Sequence, residues 1–199
     1  VPDYVPHRGK IVVLPEDNVD TDRIMPARFL VRVGRSGYGE LLFADVRGAS
    51  CALDHPSAAG ATVMVVGTNF GCGSSREHAV WAIQQAGFHA VVARSSPGSA
   101  GFSDIFRQNA ANCGLLLIEL DEASHDRLVA AGAGAEVVCD LEAQTLEAGG
   151  EVLRFEVSPS LKRQLLEGQD LIGTTLELEP AIAAYESRSG AYAPREAPA

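Results

Sequence analysis

The residues best suited to chemistry lie together at positions 67–81, GTNFGCGSSREHAVW. Gly71 and Gly73 permit close backbone approach and unusual dihedrals. Ser74, Ser75 and Arg76 follow at the start of a stretch with helical periodicity. Amides at a helix start converge on an anion, a guanidinium forks onto a carboxylate, and hydroxyls orient what is bound. The same groups stabilise negative charge that develops during reaction. A plainer use is open to these residues. Positions 74–77 (SSRE) have the spacing of a capping box, with Ser74 as N-cap and Glu77 reaching back to its amide. The two uses are compatible, because a capping serine can also face a pocket. A glycine turn before a helix is common and by itself a weak signal.

The elements that must position this stretch alternate. Positions 10–14, 61–66, 89–93 and 115–119 read as short buried strands, and 135–139 and 145–157 as further ones, with AGGE at 148–151 as a hairpin turn. Helical spacing appears at 24–33, 76–86, 102–113, 121–131, 161–167 and 180–187. Asp121 caps one of these, and Gly87, Gly132 and Gly168 end three. Strand–helix alternation in the middle predicts a parallel sheet segment, and the closing strands a more antiparallel portion. Positions 1–187 read as one domain and 188–199 as a frayed tail.

Composition narrows the function. Sixteen basic residues against twenty-six acidic ones leave a formal net charge of −10, which argues against a nucleic-acid or anionic-membrane surface. A small anion remains compatible, since local arginines and helix starts suffice to bind it. The apolar runs are too short to span a bilayer, and no cleavable apolar leader is evident, so a cytoplasmic location is expected. Cys51, Cys72, Cys113 and Cys139 form no CxxC pair, which argues against a self-contained zinc or iron–sulfur site and for reduced thiols.

Positions 69–79, NFGCGSSREHA, resemble the signature of the swivel domain in the aconitase superfamily. Positions 17–26 (DNVDTDRIMP) resemble the family's N-terminal motif, and IFRQN at 105–109, LLEG at 165–168, DLIG at 170–173 and YE at 185–186 also match. The likeness runs through nearly the whole chain in the right order. It implies a layered, swivelling β/β/α domain, in the α/β class, with a partly parallel sheet. It also implies a partner: a large subunit whose [4Fe–4S] cluster binds the hydroxyl of a 2-hydroxy dicarboxylic acid, none of the cluster being bound by this chain. Carried over by motif, Ser74 matches the serine that removes the carbon-bound proton. Ser75 and Arg76 match substrate-binding and charge-stabilising positions, and Thr21 and Asp22 the N-terminal active-site motif. A serine is a poor base at neutral pH, so it needs nearby positive potential, for which Arg76 and the helix start are candidates. For Arg76 the alternative is a solvated surface residue, for Asp22 a turn or helix cap. His78 is expected to be structural.

Positions 35–47 (RSGYGELLFADVR) resemble a segment of the bacterial small subunits of isopropylmalate isomerases, hydro-lyases of leucine biosynthesis. Met25 resembles their apolar choice where aconitases carry serine, which favours a substrate with an apolar branch. Dehydratases for homoaconitate, citraconate-type acids or a dimethylmalate remain open, as does a non-catalytic interaction domain, although the intact Ser74–Ser75–Arg76 run argues against the last. Positions 34–39 (GRSGYG) suit a lid that reads the substrate side chain, or a plain surface connection. Positions 95–101 (SSPGSAG) exceed the family pattern and read as a flexible surface insertion.

Overall fold

A computed structural model describes residues 5–32, 34–168, 171–176 and 178–189. Strands β1 (His7–Leu14), β2 (Ala61–Val66), β3 (Ala90–Ser95) and β4 (Leu116–Asp121) pair in parallel in the spatial order β4-β3-β2-β1. Their runs of valine, isoleucine, leucine and alanine suit strands covered on both faces. β5 (Glu136–Asp140) then joins β1 antiparallel, with His7 opposite Cys139, and β6 (Thr145–Ala148) and β7 (Glu151–Arg154) extend the same edge. Gly149 and Gly150 turn the last hairpin at φ 59° and 82°, a conformation in which a side chain is disfavoured. The expected mixture, parallel centre and antiparallel C-terminal arm, is what forms.

Helix α1 (Thr21–Ile24) is one turn long. The continuous helix expected over 24–33 does not form: Met25 is extended at φ −143°, ψ 96°, because Pro26 excludes the helical conformation from the residue before it. Only a 3-10 turn at Ala27–Phe29 follows. α2 (Glu77–Gln85), α3 (Asp104–Cys113) and α4 (Glu122–Ala130) fall where the periodicity placed them. Asp121 caps α4 as expected, accepting from the Ser124 amide at 2.8 Å. α5 (Pro159–Glu167) ends on Gly168 at φ 64°, and α6 (Leu171–Leu176) and α7 (Glu179–Ser189) follow, α6 without a helical reading in the sequence. Of the expected tail, residues 190–199 lie outside the described residues.

Alternation along the strands divides the core into two layers. Val12, Leu14, Met64, Val66, Val91 and Ala93 face α2 and α3 and the irregular segment that carries Tyr38 and Phe43. Ile11, Val63, Val65, Val92 and Ile118 face Leu128 of α4 and the inward residues of the antiparallel arm. Among the described residues no helix is long and apolar enough to cross a membrane.

Candidate active site

The two motifs, some fifty positions apart in sequence, lie side by side at the end of β2. The Asn18 amide donates to Thr68 O at 2.9 Å, Gly71 N–H to Val19 O at 2.8 Å, and Thr21 N–H to Cys72 O at 2.9 Å. Asp20 and Cys72 form a parallel bridge. Asp20, not Asp22, caps α1, its carboxylate accepting from the Arg23 amide at 2.7 Å. The chain between β2 and α2 is thus laid along the N-terminal motif by backbone hydrogen bonds.

Side chains complete the junction. Thr21 is buried; its hydroxyl donates to Ser74 O at 2.8 Å and accepts from Arg76 Nη1 at 3.2 Å. The same Nη1 lies 2.7 Å from Asp22 Oδ2. The Arg76 side chain is only 11% exposed while that of Asp22 is 57% exposed, so Arg76 is held within the site and is not a solvated surface residue. Ser74 and Ser75 are exposed. Ser75 Oγ accepts from Asn109 Nδ2 at a long 3.4 Å. Ser74 Oγ has no hydrogen-bond partner among the described residues, which leaves it free to meet a ligand. All five residues singled out, Thr21, Asp22, Ser74, Ser75 and Arg76, come together here.

The capping box does not form. The residue that precedes the helix is Arg76, extended at φ −139°, ψ 99°, with no side chain capping the helix start. Ser74 stands two residues farther out, beyond reach of the amides a cap must satisfy. Glu77 turns toward Cys113, whose Sγ donates to its Oε1 at 3.3 Å. With no side-chain cap, the first turn of α2 keeps the positive partial charge of its amide end, the Ala79 amide alone turning back to Arg76 O at 3.1 Å among the bonds described. The serines, released from capping, project from the turn.

Packing holds the turn in place. Gly71 adopts φ 74°, and a Cβ there would overlap the Phe106 ring and come within 2.6 Å of Phe106 Cβ. Phe70, Phe102 and Phe106 form an aromatic group below it. Ser103 caps α3 and also donates its hydroxyl to Gly71 O at 2.6 Å. Residues 95–101 are not simply a loose surface insertion. Ser96 and Ser99 close an exposed turn, but Ala100 O accepts from the Asn69 amide and Gly101 O from the Phe70 amide, both at 2.9 Å. Asn18 and Asn69 both take positive φ, 56° and 53°, and their side chains bond to each other at 2.8 Å. These supporting residues carried no chemical role in the sequence; asparagine within a glycine-rich turn was the one available sign.

His78 packs its ring 5.3 Å from that of Tyr38 and 4.6 Å from that of Trp81. The loop at 34–39 is exposed from 34 to 37 and anchored at its end: Tyr38 is buried, its amide donating to Gln85 Oε1 at 2.9 Å. Met25 is wholly enclosed in the core, so its side chain does not itself reach a substrate. Burial and then the charge of Asp20 push the Cys72 thiol up, so it remains protonated at neutral pH and is no rival base. Among the described residues no three His, Cys, Asp or Glu side chains converge on one point, and Cys51 and Cys139 are separately buried thiols. The described residues therefore offer no ligand set for a metal cluster.

Residues 1–123 match the family model of the aconitase C-terminal domain. The chain is 44% identical to the 3-isopropylmalate dehydratase small subunit of Roseiflexus castenholzii, over 94% of this chain and 93% of that one. It is 42% identical to the protein of the same name from Streptomyces coelicolor, over 96% of each. The fold is similar to the crystal structure of 3-isopropylmalate dehydratase from Methanocaldococcus jannaschii, with a TM-score of 0.67 and 28% identity, covering 91% of this chain and 99% of that one.

Proposed function

Because this chain belongs to the family of aconitase C-terminal domains and, within it, to the small subunits of 3-isopropylmalate dehydratase, we propose that Ser74 is the proton-transferring residue of a site completed by a large subunit. The protein is a hydro-lyase subunit, interconverting 2-isopropylmalate and 3-isopropylmalate by dehydration and rehydration in leucine biosynthesis. A small subunit implies a large one. In our reading the large subunit brings the [4Fe–4S] cluster and the cluster's ligands, and the pair works in the cytoplasm on a branched hydroxy diacid.

The observation that carries the proposal is the contact of the two motifs through Thr21. Its hydroxyl joins the main-chain carbonyl of Ser74 to Arg76 Nη1, and so ties the residue that bears the proposed proton acceptor to the cation. Ser74 Oγ takes the proton from the substrate carbon in one half-reaction and returns it in the other. The alkoxide so required is favoured by Arg76 and by the uncapped start of α2. Arg76 Nη1 is already shared between Thr21 and Asp22, so a substrate carboxylate is received on the other edge of the guanidinium, with Ser75 beside it. Thr21 and Asp22 act by aiming Arg76, and Asp22, being exposed, is also placed to touch the diacid.

The test is an anaerobic hydration–dehydration assay of the chain with its large subunit, the cluster reconstituted, on isopropylmalate, citraconate, homoaconitate and citrate. Turnover of isopropylmalate only by the pair, abolished in Ser74→Ala, is the expected result. Full activity of Ser74→Ala in an assembled pair would remove Ser74 from the mechanism, and preference for another diacid would change the substrate.

A further inference from the structure

Beneath the turn that carries Ser74 lies a second polar cluster, separate from the groups that face the substrate. His125 of α4 is 3% exposed, and its Nε2 is 2.8 Å from the carbonyl oxygen of Val66, the last residue of β2. A carbonyl only accepts, so Nε2 carries the proton. Nδ1 is then a buried acceptor with no partner among the described residues. Burying an unpaired polar atom is unfavourable, so packing alone does not account for a histidine here. Two residues beyond Val66, the Thr68 amide donates to Asp17 Oδ1 at 2.7 Å. Arg94 Nη2 holds both oxygens of that carboxylate at 3.1 Å. Arg94, Asp126 and Asp17 are the charged groups that act on the imidazole. Between the two grips stands Gly67, so close to the preceding motif that a Cβ would lie 2.6 Å from Glu16 O.

We propose that His125, Asp17 and Arg94 are a positioning set: they fix the Val66 carbonyl and the Thr68 amide, and thereby where the turn presents Ser74. The inference rests on the assignment of Ser74 above. None of the three touches the serines or Arg76; they act on the backbone from which the turn departs. The stem has backbone support as well, from the pairing of Val66 with β1 and β3 and from the Asn18 amide on Thr68 O; His125 and Asp17 are the side chains that add to it, at the Val66 carbonyl and the Thr68 amide. A stem displaced by a fraction of an ångström moves the reacting oxygen by as much, which lowers turnover more than binding.

The experiment uses the assembled two-subunit enzyme carrying His125→Leu, His125→Gln or Asp17→Asn. Glutamine keeps an amide donor near the place of Nε2, and leucine does not. Amide hydrogen exchange over residues 66–72 and kcat and KM for isopropylmalate are read on the same samples. His125→Leu is expected to exchange about tenfold faster there and to lose about tenfold in kcat, with KM within about twofold. Exchange in β3 and β4 stays unchanged, and His125→Gln restores most of both losses. Asp17→Asn is expected to show the same pattern at about threefold. Unchanged exchange and kcat in His125→Leu, or equal losses in the leucine and glutamine variants, would overturn the proposal. Should His125→Leu fail to assemble, the exposed Asp17 decides: unchanged exchange and kcat in Asp17→Asn would overturn it equally. If the wild-type pair does not turn over isopropylmalate, the functional reading fails, while the exchange comparison still decides the positioning.

Discussion

Gly71→Ala separates two costs that the structure assigns to the turn before α2. At φ 74° an alanine bears left-handed strain of about 1–2 kcal/mol. Its Cβ also overlaps Phe106, a core ring with no exposure, so side chains must shift at an overpacking cost of about 1–3 kcal/mol. The sum, about 2–5 kcal/mol, is a large part of the ~5–15 kcal/mol that holds a domain together. For a chain of this size it lowers Tm by roughly 4–20 °C. Gly73→Ala is the control. It has a similar φ of 88°, but its nearest neighbours are Asp20 Cβ at 3.6 Å and Thr21 Oγ1 at 3.7 Å, ordinary contacts. Only strain remains there, about 1–2 kcal/mol and roughly 2–8 °C. Thermal unfolding of both variants by circular dichroism makes the comparison. Equal losses, or a smaller loss for Gly71→Ala, would refute the claim that Phe106 sits against the turn as described.

Thr21→Val keeps the volume and removes the hydroxyl that links Ser74 O to Arg76; kcat/KM of the assembled pair should fall about 10–100-fold with the fold intact, and parity with wild type would dispose of the link. Ser103→Ala loses both the α3 cap and the bond to Gly71 O, and should cost about 1–2 kcal/mol in denaturant unfolding, where a change under half of that would contradict both contacts. Burial above all holds the His125 imidazole below its usual 6.5, so the folded state favours the neutral ring. Its contribution to stability is then complete above pH 6.5 and is lost as the pH falls below that value toward the folded pKa. The Tm of wild type should therefore drop more between pH 7 and 5 than that of His125→Gln, measured by calorimetry at fixed ionic strength; parallel curves would show that His125 is not buried neutral. His7, also lowered mainly by burial, supplies a background slope common to both proteins.

Much of the architecture was legible along the chain because it is local. Strand runs covered on both faces, helix stops at Gly87 and Gly168, the Asp121 cap and the AGGE hairpin each express the conformational preference of a few neighbouring residues. The failure over 24–33 was local too: spacing suggested a helix, and Pro26 overrode it through the residue before it. The residue types of the site were also legible, as two motifs with the right order and chemistry. The resemblance of the two motifs to the aconitase superfamily pointed to the fold class, the family and the candidate set Thr21, Asp22, Ser74, Ser75 and Arg76.

Only the tertiary structure decided what those residues touch. The choice between Ser74 as a helix cap and Ser74 as a free hydroxyl depends on whether the helix begins at 75 or 77; in the fold it begins at 77, after Cys72 has bridged to Asp20. Hydrogen bonds between residues fifty positions apart leave no period in the sequence, so the Thr21–Ser74–Arg76 contact, the Asp17–Arg94 pair and the grip of His125 on Val66 could not be read there. The insertion at 95–101 illustrates the same limit: its glycine, serine and proline content described a loop, and only folding showed Ala100 and Gly101 supporting the turn before α2. Local propensity is written residue by residue, whereas a site assembled at the ends of parallel strands exists only once the sheet has brought those ends together.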